Sequence, residues 1–532
     1  MASPSPGAHY DGPPSSWITS DSRALLAAIW SQKLTALVLG PSLAVVLWLF
    51  IADYTSPLKR YPGPFLARWT NLYRWWQVYK GNYAPHIKKL HEKYGPVVRL
   101  GPNMLDIDLP ELSRVIYGTV GWAKSDMYTV NSPLVNGKLL SNIFSEVDPA
   151  QHAKMKRPVV RHYSVSAVQA LEPQVDSVLT DLLSLLQRRY VEKEQACDVG
   201  EWLNFFAWDF MGMVTMSHTY GFLEKGSDID NVLANNVKLV DYFGLIGQLT
   251  WVDYLLDKNP IHSFGPSGIP SVVRFTVEKL TARTKGEDKH YTPDRPDFMQ
   301  YFLETKKTHP DLVDDAGVTA YMLVNLLAGA DTVSIVFQAL FYYMLKNPRV
   351  YARLSAEVRT AFQPFQLAPY AQARALPYLE AVVHETLRYN PSISMALERV
   401  VPPGGLRLPD GSVVPGGKTV GMNPYVIGRN RGVFGEDADE YKPERWLRGE
   451  GEGEEEYKER MRRWWESMLV FGGGSRICLG RHVAMMEMYK VVATLVASFD
   501  FELEDPEKPW QICARWFIWP KGIVCKLRPR KD

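Results

Sequence analysis

The run GVTAYMLVNLLAGADTVSIVFQALFYYMLKNP, residues 317–348, places apolar side chains on every helical face and ends at Pro348. A helix that is apolar nearly all round must be surrounded by other elements, so the run predicts a central buried helix. Its uncharged portion, Val318 to Ala330, has only 13 residues, too few to cross a hydrocarbon layer. The chain therefore has to build a large body around one inner helix. That helix carries two local oddities. Gly329 weakens a helix interior by about 1 kcal/mol relative to alanine, and Asp331 needs a partner in so apolar a setting. A plain reading has Thr332 bonding back to its i−4 carbonyl and Asp331 in an ion pair. The other reading gives the acid–alcohol pair a chemical task.

The rest of the pattern is mostly helical. YAPHIKKLHEKYG (83–95), VDSVLTDLLSLLQRRYV (175–191) and RHVAMMEMYKVVATLVASF (481–499) have helical periodicity. Strand signals occur at PVVRLG and MLDID, at a hairpin around Asp410-Gly411, and at ICARWFIWPKGIVCKLRP near the end. The expected class is mainly α with a smaller β region. No low-complexity linker interrupts residues 65–532, which read as one large domain. The charged run GEGEGEEEYKERMRRWWE reads as a solvated loop or surface helix.

Ahead of that body lie three distinct segments. Residues 1–33 are rich in Pro, Ser, Gly and Ala and read as a flexible tail. LTALVLGPSLAVVLWLFIA, residues 34–52, holds 19 residues without a charge, about 28 Å of helix at the usual rise, and reads as a transmembrane anchor. Residues 53–64 contain Pro62 and Pro64 and read as a stiff connector. The flanking positive charges, Arg23 and Lys33 against Lys59, Arg60 and Arg68, weakly favour a cytosolic body.

Composition excludes more than it identifies. A net charge of +2 does not announce a nucleic-acid binder. Four cysteines in 532 residues, with no C-x-x-C pair, no zinc spacing and no acceptor sequon for N-glycosylation, favour a reducing compartment. Cys197, Cys513 and Cys525 read as inert core residues.

Cys478 stands apart, in FGGGSRICLG (471–480). A phosphate loop would need a lysine after its last glycine, which is lacking. The loop leads into a helix whose free N–H groups favour a thiolate. The glycines admit close approach of a flat ligand, and Arg476 offers a cation to its carboxylates. From the residues alone, a ligand to a soft metal and a structural cysteine both remain open.

Phe471, Gly474, Arg476, Cys478 and Gly480 match F-x-x-G-x-R-x-C-x-G, which resembles the haem-ligand signature of the cytochrome P-450 monooxygenases. AGADT (328–332), HETLR with Glu385 and Arg388, and KPERW with Arg445 and Trp446 follow in the family's order. KSDMY, DPAQHAKMKR and ETLRYNPS are most similar to fungal microsomal members of secondary-metabolite pathways. The resemblance implies the cytochrome P-450 fold after a single transmembrane helix, with haem b held through iron by Cys478. It implies that Gly329 opens a groove for dioxygen and that Asp331 and Thr332 handle protons. It also implies a buried triad of Glu385, Arg388 and Arg445, and haem propionates gripped by Arg476, Arg399 and one of Lys156 and Arg157. Where the family often has W-x-x-x-R, this chain has His152 and Lys156.

The implied activity is insertion of one oxygen atom into an apolar small molecule, with electrons from a flavin-containing NADPH–cytochrome reductase and cytochrome b5 as a further donor. The reductase would dock near Arg481 and the Lys154–Arg157 cluster. The implied location is the endoplasmic reticulum membrane, single-pass, with the catalytic domain cytosolic. Asn325, Ala328, Ala330, Ser394 to Leu397 and Trp516 to Ile518 are candidate pocket residues. The rivals are a haem-thiolate isomerase or dehydratase working without dioxygen, which has no need of the Asp331–Thr332 pair, and a non-catalytic haem protein.

Overall fold

In a computed structural model, residues 39–135, 137–266 and 270–530 are described. The chain divides into two units, residues 1–59 and 60–532. In the first, Leu39–Thr55 is an apolar helix with Leu43, Trp48 and Phe50 exposed. The tail 1–33 and the first residues of the expected anchor, 34–38, lie outside the described residues.

The second unit is mainly helical with small sheets. The elements that position the site are β1 (Val97–Gly101), β2 (Met104–Ile107), α1 (Pro149–Lys156), α2 (Val199–Met216), α3 (Val232–Ile246), α4 (Asp315–Lys346), α5 (Pro377–Tyr389), β3 (Arg399–Val400), β4 (Thr419–Gly421) and α6 (Arg481–Ser498). The expected central helix is α4. Asp314 caps it, accepting from Gly317 N–H at 2.8 Å, and Pro348 starts the next helix. Fully 56% of its most apolar window is buried inside the protein, so its length serves a core and not a membrane. Its main neighbour is α2, whose Phe205, Phe206, Trp208 and Phe210 are buried.

Strands β1 and β2 form an antiparallel pair with Val97 opposite Ile107. Strand β4 adds parallel to β2, with Met104 opposite Thr419, and β3 adds antiparallel to β4, with Arg399 opposite Val420. This order, β1-β2-β4-β3, carries Arg399 to the sheet's edge. The hairpin around Gly411 forms as expected, Leu406 facing Val414. The charged run becomes the helix Glu454–Ser467, surface-lying except for Trp464 and Ser467.

Candidate active site

The loop before α6 is folded on itself. Cys478 N–H donates to Phe471 O at 2.8 Å, and Gly474–Arg476 makes a single tight turn. Phe471, half-buried, packs on the main core. From α1, Lys156 Nζ donates to Ser475 O at 2.8 Å and Ile477 O at 3.3 Å, tying the loop to that helix. Cys478 is deeply set yet accessible, the condition of a group lining an internal space. Burial pushes its thiol up, opposed by the N–H groups of Gly480 and Arg481 and by the charges of Arg481 and Lys156. The helix start alone therefore does not secure a thiolate; a cation at sulfur would. A Cβ on Gly480 would meet only Cys478 Sγ, at 3.9 Å, so the space beside the sulfur is open.

Three cations converge next to this loop. Lys124 and Arg399 are bridged through their backbones, and both side chains are buried. Val147 O accepts from Lys124 N–H at 3.1 Å and from Arg476 Nη2 at 2.9 Å. Each cation bonds backbone carbonyls: Lys124 to Phe144 O at 2.5 Å, Arg399 to Glu398 O at 2.8 Å, and Arg476 to Glu146 O as well. The nearby carboxylates are engaged elsewhere. Glu398 pairs with Arg74 and accepts from Ser125 at 2.6 Å, while Glu146 accepts from Ser141 and from Asp148 N–H. Burial and then the neighbouring Arg399 lower the Arg476 guanidinium to about 10, and burial, Arg399 and Arg476 hold Lys124 well below its ordinary value. His152 is driven down to about 3 by burial and the same cations, so it is neutral. Arg476 Nε has no partner among the described residues. A ligand with two carboxylates completes this arrangement, and the accessible thiol suits a soft metal. The residues fit haem.

On α4, Ala328 is exposed although Leu326 and Ala330 are fully buried. Thr332 Oγ1 donates back to Ala328 O at 2.8 Å, with Gly329 O a longer second acceptor at 3.3 Å, which is the plain reading of that residue. Asp331 is buried, but its partners are neutral: Trp208 Nε1 donates to Oδ1 at 2.8 Å and Asn236 Nδ2 to Oδ2 at 2.5 Å. Burial outweighs these two bonds and raises its carboxyl to about 6. Asn325, 9% exposed, accepts from Tyr163 at 2.5 Å and leaves its Nδ2 without a partner among the described residues.

The triad forms. Arg388 holds Glu385 through two bonds of 2.7 and 2.8 Å, and Arg445 Nε reaches Glu385 Oε1 at 3.1 Å. Trp446 Nε1 adds a fourth contact at 2.9 Å. Arg388 also donates to Gly428 O, Ala438 O and Glu440 O, so α5 anchors the segment ahead of the cysteine loop.

Four placements differ from those expected. Gly329 faces α2, where a Cβ would come within 2.7 Å of Met211 Sδ, so its missing side chain serves helix packing. Gly474, with φ +54°, backs onto Tyr117 O and Gly118 O, and its clearance is for that chain segment. Arg157 is exposed, whereas Lys156 turns to the loop, and neither carbonyl-bound Nζ nor exposed guanidinium joins the three converging cations. Ala330 points into the core. Sequence reasoning missed Lys124, Trp208 and Asn236. A buried lysine within the quoted KSDMY was the available signal for the first; nothing in the sequence links the other two to Asp331.

A mainly helical body, a small mixed sheet and a thiol-bearing loop beside three cations bonded only to neutral groups among the described residues define a haem-thiolate oxidoreductase. The chain belongs to the cytochrome P-450 family, whose model matches residues 62–526. It is 41% identical over 492 residues to the cytochrome P-450 monooxygenase cfoH of Aspergillus candidus, covering 92% of this chain and 91% of the relative. It is 38% identical over 482 residues to the monooxygenase cicH of Emericella nidulans, covering 89% and 94%. To mfmA of Annulohypoxylon moriforme it is 31% identical over 510 residues, covering 93% and 97%. The chain is a cytochrome P-450 monooxygenase and takes haem.

Proposed function

We propose that this enzyme oxygenates an apolar small molecule of fungal secondary metabolism, with Cys478 as the axial thiolate of haem b. When bound, haem supplies the chemistry that splits dioxygen, helped by electron donation from sulfur. The observation that carries this reading is the set of Lys124, Arg399 and Arg476, without an ion-paired carboxylate among the described residues, beside an accessible Cys478. Arg399 and Arg476 hold the propionates, Gly480 leaves room beside the sulfur, and Phe471 and Lys156 fix the loop. Thr332 holds or hands on a proton at Oγ1, and Asp331, raised to about 6, exchanges protons near neutral pH. The exposed Ala328 keeps a small side chain toward the reaction space.

Residues 34–52 anchor the chain in the endoplasmic reticulum membrane, with 1–33 a tail, 53–64 a connector and 65–532 the cytosolic catalytic domain. A membrane-bound NADPH–cytochrome reductase supplies electrons at the face bearing Arg481, Lys154 and Arg157, with cytochrome b5 as a second donor. The relatives' fungal sources support a fungal substrate setting, and the exposed apolar side chains of Leu39–Thr55 support the anchor. The test is to feed pathway intermediates to membranes holding the enzyme and a reductase, under labelled dioxygen. Product must require NADPH and reductase and carry label; unlabelled product formed without NADPH would overturn the reading in favour of an isomerase.

A further inference from the structure

Lys124 is a buried cation with little around it to neutralise its charge. Its residue is 8% exposed, and among the described residues Nζ has one oxygen partner, Phe144 O at 2.5 Å. The ammonium otherwise lies over two aromatic faces, 4.2 Å from the Tyr128 centroid and 4.6 Å from that of Phe144. Those rings belong to an aromatic group with Phe243 and Trp516, all at centroid distances of 4.8 to 6.2 Å. Ring faces and a carbonyl attract a cation, but they do not neutralise it. Its charged neighbours worsen the case, because Arg399 is bridged to Lys124 and Arg476 shares Val147 O with it. A lysine with spare donors, walled by aromatics and facing two arginines, lacks an anion on its remaining side.

We propose that Lys124 is a positioning residue for the cofactor, its Nζ donating to a haem propionate alongside Arg399 and Arg476. The inference rests on the haem reading above. Two propionates, together with the nearby Glu146 carboxylate, balance the three cations, none of which is ion-paired to a carboxylate among the described residues. The aromatic pair fixes the direction of Nζ, so the lysine reports which way the propionate lies. Its position between the cation group and the Tyr128–Phe144–Phe243–Trp516 rings also joins cofactor seating to the aromatic wall.

The experiment uses the ferric holoenzyme of the full chain and two readouts other than activity: the propionate-bending band in resonance Raman spectra, and the rate of haem loss to a scavenging apoprotein. Lys124→Met is expected to shift the band toward a weaker hydrogen bond and speed haem loss about tenfold or more, the scale of a lost charged hydrogen bond. Lys124→Arg, which keeps the charge, is expected to stay within about threefold of the parent. Should Lys124→Met not accumulate with haem, Lys124→Gln is read in the same way. An unshifted band in the neutral variants, or equal impairment in Lys124→Met and Lys124→Arg, would overturn the proposal while leaving the haem reading intact. A parent protein without a thiolate-type spectrum would overturn both.

Discussion

Asp331 shows how one residue can satisfy a structural and a chemical description together. Trp208 and Asn236 hold it without neutralising it, so burial sets its proton affinity. Its carboxyl is raised from 3.8 to about 6 in the fold. The folded state then binds more protons than the unfolded one between those values, so stability is present at low pH and is lost as pH rises through the window. The loss is about 3 kcal/mol once pH exceeds the folded value. Asp331→Asn cannot titrate. The difference in unfolding free energy between the two proteins should therefore move against the parent from about pH 4 to pH 6 and then level off. Urea melts across that range check it, and parallel curves would contradict it. The ion pair weighed for Asp331 from sequence does not form among the described residues; its partners lie on α2 and α3, more than ninety residues away in sequence, where no local pattern could reveal them.

At the scale of elements, the sequence was most legible where periodicity and capping agree. Helix α4, the β1–β2 pair and the Gly411 hairpin all follow from their local residues. The glycines were less legible, because a glycine reveals that something comes close without revealing what. Gly329 faces the flexible end of Met211, whereas a Cβ on Gly474, whose φ is left-handed, would meet two backbone carbonyl oxygens at 2.1 and 2.2 Å. Their alanine variants should accordingly diverge. Gly329→Ala gains about 1 kcal/mol of helix propensity against the displacement of a methionine tip, so its net effect on stability should stay within about 1 kcal/mol. Gly474→Ala has neither gain nor give, and should cost about 3 kcal/mol or more and deplete bound haem. Thermal melts and the ratio of haem absorbance to protein measure both. A severe loss of oxygenation in a stable Gly329→Ala would restore the groove expected from the resemblance.

For the whole molecule, the triad explains how distant segments are set before the cofactor binds. Glu385 draws Arg388, Arg445, Trp446 and the Lys442 N–H to one point, joining α5 to the stretch ahead of the cysteine loop. That assembly was readable as motifs in order, while the third cation, Lys124, needed the fold to carry residue 124 beside residues 399 and 476. Beyond the catalytic body, the proposed reductase face makes a charge prediction. Reversing Lys154 and Arg157 to glutamate should raise the reductase concentration needed for half-maximal turnover several-fold, about tenfold at low salt, and added salt should narrow the difference. Unchanged reductase dependence would place the docking face elsewhere.

The central claim is that Cys478 ligates haem iron through a thiolate. The most direct measurement is the carbon-monoxide difference spectrum of the dithionite-reduced protein, parent against Cys478→Ala, at equal protein concentration. The account predicts a thiolate-type band in the parent and its complete loss in the variant; a normal thiolate-type band in Cys478→Ala would contradict it.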